Sequence, residues 1–318
     1  RTPDGRFSAE KFQETATKPQ VKMIEIKLSQ GAKPGHGGIL PKAKLTLEIA
    51  KMRLVEMGKD VVSPPGHSAF ATPIELLQFV KQLRDLSGGK PVGFKLCLGK
   101  QREFIAICKA MLETGITPDF VTLDGGEGGT GAAPLEFSNS VGAPLREALV
   151  FVHNSLVGFG VREKIKIIAS GKVTTGIDLV SKLALGADMC NSARGMMLAL
   201  GCIQALRCNS NSCPVGITTN NPELVSGLDV EIKSKRVQSF HHQTVKSAVE
   251  LVGAMGFRST TELRPWHISR RTGPDEIKHY GEIFNYLEKN DLIEGRIPPE
   301  FERAVRMASA KSFAPVLS

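Results

Sequence analysis

The sequence predicts an α/β fold, a (β/α)8 TIM barrel whose first strands lie outside this chain and which carries a helical C-terminal extension. Short apolar segments alternate with segments of helical period from residue 20 to about residue 205, which indicates a parallel sheet covered by helices. Most of the apolar segments run directly into polar or glycine-rich sequence, as the strands of a barrel do at its active face. Only five segments are convincing strands, whereas a barrel has eight.

The strand candidates are apolar segments separated by about 20 to 45 residues. They are residues 21–28, 91–98, 119–124, 165–170 and 187–192, with residues 61–62 as a weaker sixth candidate. Apolar stripes predict helices between them, and a capping box with Pro73 at the first helical position begins one at residues 72–75. The stripes comprise Leu76, Phe79, Val80 and Leu83, then Phe104, Ile107, Cys108 and Met111, then Ile177, Val180, Leu183 and Leu185. Several polar strand ends favour a barrel over a doubly wound sheet, which has one glycine-rich switch point.

The pattern divides the chain into two parts. Residues 1–227 hold the barrel units and a cysteine segment at 201–216. From residue 228 the strand pattern stops, so residues 228–318 are predicted to form a helical extension packed on the barrel. It begins with one long helix over residues 230–255. The first twenty residues contain no convincing strand, and we therefore expect the remaining barrel strands to precede residue 1.

Composition excludes several classes of protein. The chain is 41% hydrophobic and 23% charged, which is typical of a globular protein and not of a disordered one. No run of eighteen apolar residues occurs, so no transmembrane helix is expected. One Trp and two Tyr are too few for nucleic-acid stacking platforms. The net charge of +9, without a long Lys/Arg block, indicates a solvated basic surface or an anionic small substrate.

The first strand runs into a glycine-rich loop that carries Lys27, Gln30 and Lys33. Such donors suit an anionic dicarboxylate or an anionic flavin ring. A solvated turn with lysines on its rim is the alternative. Arg53, on the following helix, could supply a guanidinium fork for a carboxylate or could simply lie on the surface.

Two further regions predict close contact between backbone and ligand. Residues 124–131 include five glycines in eight positions, which either admit a ligand against the backbone or form a flexible loop. The last two predicted strands run into Ser170-Gly171 and Ala193-Arg194. Because barrels bind phosphate with their last two loops, this pair favours a phosphorylated ligand over two ordinary turns.

Three cysteines, Cys202, Cys208 and Cys213, lie within twelve residues. Zinc would need a fourth ligand, and none lies nearby in the sequence. Three thiolates suit a three-iron cluster, or a four-iron cluster with one other ligand. Buried free thiols are the remaining alternative. The long chain and its six cysteines indicate a reducing compartment, and we expect a cytoplasmic location.

Taken together, these motifs resemble the FMN-binding synthase domain of glutamate synthases. They are closer still to the stand-alone FMN-binding glutamate synthase family proteins, which lack an amidotransferase domain. The resemblance rests on residues 25–38 (EIKLSQGAKPGHGG), the Gly-Gly-Thr-Gly-Ala loop at 128–132 and residues 202–216 (CIQALRCNSNSCPVG). It extends from about residue 20 to about residue 255. It implies a barrel of the FMN-dependent type, with FMN and a 3Fe–4S cluster as cofactors.

The resemblance also implies a role for each matching residue. The substrate residues, which fall where the family binds 2-oxoglutarate and approaches the flavin, are Lys27, Gln30, Lys33 and Arg53. Among these, Lys27 and Lys33 would stabilise anionic oxygens during the reaction. The residues implied to line the flavin are Lys95, Asp124, Glu127, Gly128, Gly129 and Thr130. Those implied to hold its phosphate are Ser170, Gly171, Ala193 and Arg194, and those implied to hold the cluster are Cys202, Cys208 and Cys213.

The implied reaction is reduction of 2-iminoglutarate, formed from 2-oxoglutarate and ammonia, to L-glutamate. Electrons would come from a donor protein, either a ferredoxin or a reductase subunit. Ammonia would come from a separate source, because the chain carries no glutaminase domain. His36 and Glu127 depart from the family, which usually carries Glu and Asp at these positions. His36 therefore leaves open another 2-oxo or amino acid as substrate, and the unclosed barrel leaves open an inactive fragment or binding scaffold.

Overall fold

The computed structural model describes residues 1–316 apart from 3, 129–132 and 135. The strands are β1 (Ile24–Lys27), β2 (Ile39–Leu40), β3 (Val61–Val62), β4 (Val92–Leu96), β5 (Phe120–Asp124), β6 (Lys166–Ser170), β7 (Met189–Asn191), β8 (Ser269–Arg271) and β9 (Ile277–His279). The helices are α1 (Ala9–Ala16), α2 (Leu47–Arg53), α3 (Pro73–Leu86), α4 (Gln101–Thr114), α5 (Leu145–Gly158), α6 (Gly176–Ala184), α7 (Arg194–Leu200), α8 (Pro222–Val225), α9 (Val230–Ala254), α10 (Tyr280–Ile283) and α11 (Pro299–Met307). In this part of the chain, no helix is both long and apolar enough to cross a bilayer.

The main sheet is parallel and has the strand order β1-β4-β5-β6-β7. The predicted α/β class is confirmed, since neighbouring strands are joined by helices. Consecutive strand order is that of successive units in a (β/α)8 barrel, whereas a doubly wound sheet reverses its order at a switch point. Within the described residues the sheet has five strands, and β1 and β7 are its edge strands.

The two faces of the sheet differ because successive side chains of a strand point to opposite sides. On the face toward the helices, Ile26, Phe94 and Leu123 are buried in the core. The opposite face carries polar residues instead, and Lys27 and Lys95 lie in register on neighbouring strands. Polar side chains are therefore collected at the carboxyl end of the sheet, on the side away from the covering helices.

The weaker strand candidate at residues 61–62 does form a strand, but it does not belong to the barrel. β3 pairs antiparallel with β2, and the register places Ile39 opposite Val62. Along the chain, β2, α2 and β3 follow one another in an excursion between β1 and β4, so that α2 lies between the two short strands in sequence. Two residues are too few to specify which sheet a strand joins, and the sequence did not predict its partner β2.

Local helix signals agree with the structure. α3 begins at Pro73, and both halves of the capping box between Thr72 and Glu75 are present. The long helix predicted over residues 230–255 is α9. It packs against α6 and α7, where Gly176 lies against the backbone of Ala248.

The end of the chain packs on α4 and also contains an unpredicted hairpin. Lys109 Nζ donates to the carbonyls of Val305 and Ala308, at 2.7 and 2.8 Å, and so ties α11 to α4. β8 and β9 pair antiparallel within the segment expected to be helical. Each of these strands is only three residues long, and all three residues of β8 are exposed. The sequence therefore has no alternation of apolar and polar residues that would predict them.

Candidate functional site

One carboxylate, that of Asp124, connects four strand ends at the carboxyl edge of the sheet. Its Oδ2 lies 3.0 Å from Lys95 Nζ and accepts a hydrogen bond from the Gly31 amide, also at 3.0 Å. Its Oδ1 accepts a hydrogen bond from Ser170 Oγ at 3.2 Å. Asp124 thus holds the loop after β1 and the end of β6 against the ends of β4 and β5. The approach of the first loop is close, because a Cβ on Gly31 would lie 2.2 Å from the Gly125 carbonyl oxygen.

Three lysines, Lys27, Lys33 and Lys95, lie near one another at this edge of the sheet, and Lys95 pairs with Asp124. Burial lowers the pKa of Lys27, the ammonium groups of Lys95 and Lys33 lower it further, and Asp124 acts in the opposite direction. Lys33 is only 6% exposed and pairs with no carboxylate among the described residues. The Glu25 carboxylate, on the same face of β1 two residues before Lys27, accepts a hydrogen bond at 2.6 Å from the Thr122 hydroxyl of β5, across β4. Lys27, like Lys33, pairs with no carboxylate among the described residues, so an anionic ligand beside these two lysines would be attracted by both ammonium groups.

A cleft of about 1120 Å³ opens beside β1. The structure brings Lys27 and Gln30 to this cleft, together with His36 of the same loop. It does not bring Arg53, which is exposed on the last turn of α2 and lies outside the lining of the cleft. Arg53 follows α2 into the β2–β3 excursion, and the Arg1 side chain donates to its carbonyl there.

The cleft contains residues that sequence reasoning missed. Arg1, Arg6 and Lys11 line it, and Glu103 is the one acidic residue among its described lining. His67 also lines the cleft, and its ring stacks on Phe70 with centroids 4.6 Å apart. The N-terminal cations belong to no motif and reach the cleft through folding of the first fifteen residues. No local signal could have identified them.

The glycine-rich loop after β5 is turned toward α5. Gly126 N donates to the Ala143 carbonyl at 2.9 Å, and Gly128 N donates to the Gly125 carbonyl at 2.8 Å. The Glu127 carboxylate accepts the Leu145 amide with both oxygens, at 3.1 and 2.9 Å, and so caps the first turn of α5. This contact assigns Glu127 a structural partner that the sequence did not indicate. The predicted flavin residues Gly129 and Thr130 lie outside the described residues.

The structure brings the two predicted phosphate loops together. Ser170 of β6 is in register with Asn191 of β7, and Ser192 Oγ donates to the Val173 carbonyl at 2.6 Å. Gly171 and the pair Ala193 and Arg194 therefore flank the same strand ends. The hydroxyl of Ser170 donates to Asp124 at 3.2 Å. Backbone N–H groups and a guanidinium such as that of Arg194 are of the chemical type that binds phosphate.

Cys202, Cys208 and Cys213 line one cavity of about 130 Å³. As the described side chains are placed, no three His, Cys, Asp or Glu residues are arranged to hold a metal ion. Cys213 is buried, and its surroundings suit a thiolate. Burial alone would raise the pKa of the Cys213 thiol, but hydrogen-bond donors of Thr218, Val215 and Ile217 outweigh it and lower this pKa to about 7. Among the donors the Thr218 amide lowers the pKa most, and the Thr218 hydroxyl faces the same sulfur without a hydrogen bond of good geometry.

A family model described as the conserved region in glutamate synthase matches residues 5–258. The chain is 41% identical over 285 residues to the glutamate synthase large subunit-like protein YerD of Bacillus subtilis, a match that covers 90% of this chain and 53% of that protein. It is 39% identical over 242 residues to the archaeal glutamate synthase (NADPH) of Methanocaldococcus jannaschii, covering 76% and 47%. It is 34% identical over 243 residues to the ferredoxin-dependent glutamate synthase of an Antithamnion species, covering 76% and 15%. The chain spans about half the length of the first two relatives.

Proposed function

The chain belongs to the glutamate synthase family, and from this premise we propose that it supplies part of an FMN- and iron–sulfur-dependent oxidoreductase. The proposed reaction is reduction of 2-iminoglutarate, formed from 2-oxoglutarate and ammonia, to L-glutamate. Residues 1–227 would form the catalytic part, and residues 228–318 an extension that covers it. The six free thiols fit the reducing environment of the cytoplasm.

The observation that carries the proposal is the group formed by Lys27, Lys33 and Lys95 at the carboxyl edge of the sheet, where Lys95 pairs with Asp124. Lys27 and Gln30 share the large cleft, and their donors suit the carboxylates of a 2-oxo diacid. The buried Lys33 would stabilise negative charge that develops on an oxygen during the reaction, since a preorganised cation is most effective where water is excluded. Arg53 would take part only if α2 moved toward the cleft.

The residues proposed to hold FMN lie at the same strand ends. Lys95 and Asp124 would face the flavin ring, and Gly128 would allow close approach of its edge. Gly171 and Arg194 would hold the phosphate. FMN, when bound, would supply the hydride that the imine carbon accepts. Asp124 would keep Lys95 in place, at an N–O distance of 3.0 Å.

Cys202, Cys208 and Cys213 are proposed to hold a 3Fe–4S cluster, and their common cavity supports this assignment. Three thiolates leave one corner of a cubane without a cysteine ligand. The cluster would accept single electrons from a donor protein, either a ferredoxin or a reductase subunit. The relatives' names include both NADPH and ferredoxin, and they do not select between these donors for this chain.

A second candidate function is reduction of another 2-oxo acid. His36 favours it, because this histidine lies in the cleft with Lys27 and Gln30. Its Nδ1 is 2.9 Å from the Gly37 carbonyl oxygen, which directs the Nδ1 proton to the backbone and leaves Nε2 for a ligand. A 2-oxo acid that differs from 2-oxoglutarate in the group that meets His36 would then bind in preference to it.

The test uses the anaerobically purified full-length protein. FMN and iron contents are measured first, and dithionite-reduced protein is then mixed with 2-oxoglutarate and ammonium. The proposal expects flavin reoxidation and stoichiometric L-glutamate only when both are present. Faster reoxidation with another 2-oxo acid would favour the second candidate. A protein without flavin, or reoxidation that needs no ammonium, would reject the assignment.

A further inference from the structure

The cavity lined by the three cysteines includes one polar group whose hydrogen bonding is incomplete. Thr218 lines this cavity, and its Oγ1 is buried without a hydrogen-bond partner among the described residues. The next residue provides a contrast, because Thr219 Oγ1 donates to the Asn211 carbonyl at 2.6 Å. Buried hydroxyls nearly always have partners, since leaving one unpaired is costly. The Thr218 hydroxyl faces the Cys213 sulfur without a hydrogen bond of good geometry, so the acceptor that would complete its bonding lies on the sulfur side of the cavity.

The cavity wall indicates what that acceptor is. Sulfur atoms and apolar side chains such as Met197 and Val215 make up much of it. Backbone N–H groups of the segment after Cys213 are already directed at the Cys213 sulfur. The Thr218 hydroxyl adds a side-chain donor to this same wall. A group with negatively charged sulfur atoms would match donors of this kind.

We propose that Thr218 is a positioning residue that donates a hydrogen bond from its hydroxyl to a sulfur of the cluster held by Cys202, Cys208 and Cys213. The inference rests on the proposed function, because it requires the cluster. Reduction adds negative charge to the sulfurs, so a donor stabilises the reduced state more than the oxidised state. The hydroxyl therefore raises the reduction potential of the cluster.

The test is a redox titration of the full-length protein, followed by electron paramagnetic resonance. T218V keeps the side-chain shape and removes the donor. It should lower the reduced-to-oxidised ratio at a fixed potential by about tenfold, which for one electron is a shift of about 59 mV. T218S keeps the hydroxyl and should restore the parent potential. S210A is the matched control, because this exposed hydroxyl of the same segment bonds the Arg207 carbonyl at 3.1 Å and lies outside the cavity lining.

The outcomes separate this inference from the proposed function. An iron-loaded T218V protein with the parent potential overturns the role of Thr218 and leaves the cluster assignment intact. A parent protein that binds no iron overturns both. If T218V fails to load iron, the redox titration is repeated with T218A, which also lacks the donor. A potential lowered from that of the parent supports the role, and the parent potential in T218A rejects it.

Discussion

Lys95 Nζ lies 3.0 Å from Asp124 Oδ2, at the carboxyl ends of two neighbouring strands. The two side chains are only 23% and 12% exposed. The same carboxylate also receives the Gly31 amide and the Ser170 hydroxyl. This pair therefore joins the candidate substrate loop to the sheet, and its loss should affect both stability and binding.

D124N should destabilise the protein. Asparagine keeps the size of the side chain but removes the charge that Lys95 and the Gly31 amide share. Hydrogen bonds to charged groups contribute roughly 1.5–3 kcal/mol, and urea unfolding should show a loss of that order. D85N is the control, since the Lys81–Asp85 pair at 2.6 Å is exposed and should contribute less than about 1 kcal/mol. Equal stability of D124N and the parent would contradict the anchoring role.

Binding of 2-oxoglutarate to the full-length protein should weaken as the pH rises toward 10.5, the ordinary pKa of a lysine, and before it reaches that value. The reason is that burial and two neighbouring ammonium groups lower the pKa of Lys27. Above that pKa the side chain is neutral and no longer attracts a carboxylate, whereas below it the ammonium is present. K27R should shift the loss of affinity to higher pH, because arginine stays charged. Calorimetry between pH 7 and pH 10 measures this, with the exposed K59R as control, and an identical profile in K27R rules out Lys27 as the titrating group.

E127A should lower the free energy of unfolding through loss of the α5 cap, and its effect on the free energy of flavin binding should be smaller. The Glu127 carboxylate accepts the first amide of α5 with both oxygens, and removing a helix cap costs about 0.5–2 kcal/mol. Thermal unfolding measures this loss, and E147A, an exposed change in the same first turn, should cost less than about 1 kcal/mol. Flavin affinity is read on the same samples. Weakened flavin binding at unchanged stability would instead support the cofactor role that the sequence predicted.

Acid should destabilise the protein through His153. Burial and the nearby Arg162 lower the pKa of His153 from 6.5 to about 4. Its Nδ1 accepts a hydrogen bond from Arg162 Nε at 3.2 Å. The unfolded chain binds a proton below pH 6.5 and the folded chain does not, so stability is lost as the pH falls from 6.5 toward 4. The loss is roughly 3 kcal/mol. In urea unfolding, H153Q should reduce the dependence of the free energy of unfolding on pH, whereas the exposed H241Q should keep that of the parent. A pH dependence in H153Q equal to that of the parent would contradict this prediction.

C208S should abolish iron binding by the full-length protein, and C190S should not. Cys208 lines the small cavity with the other two candidate ligands, whereas Cys190 lies in β7 outside its lining. Burial raises the pKa of the Cys190 thiol to about 11, which disfavours the thiolate that a metal needs. Iron per polypeptide after anaerobic reconstitution is the measurement. Zinc in place of iron in the parent protein, or iron retained by C208S, would reject the cluster assignment.

Sequence reasoning succeeded where the signal is local. The capping box before α3 lies within four residues and was visible without the fold. The strands that bear the site were predicted to within four residues, because apolar segments and the loops that follow them are contiguous in the chain. A helix at Arg53 and a weak strand at residues 61–62 were predicted, but β2 and its pairing with β3 were not, since pairing of two-residue strands depends on long-range contacts.

The sequence by itself determined the parallel α/β arrangement, the family motifs and the spacing of the three cysteines, because periodicity and composition along the chain encode them. Tertiary structure alone decided that Asp124 connects four strand ends, that Glu127 caps α5 and that Arg53 lies away from the cleft. Each of these contacts joins residues far apart in the chain or depends on a turn that only packing sets. The free energy of such a contact depends on burial and distance, and neither quantity exists until the strands are in register.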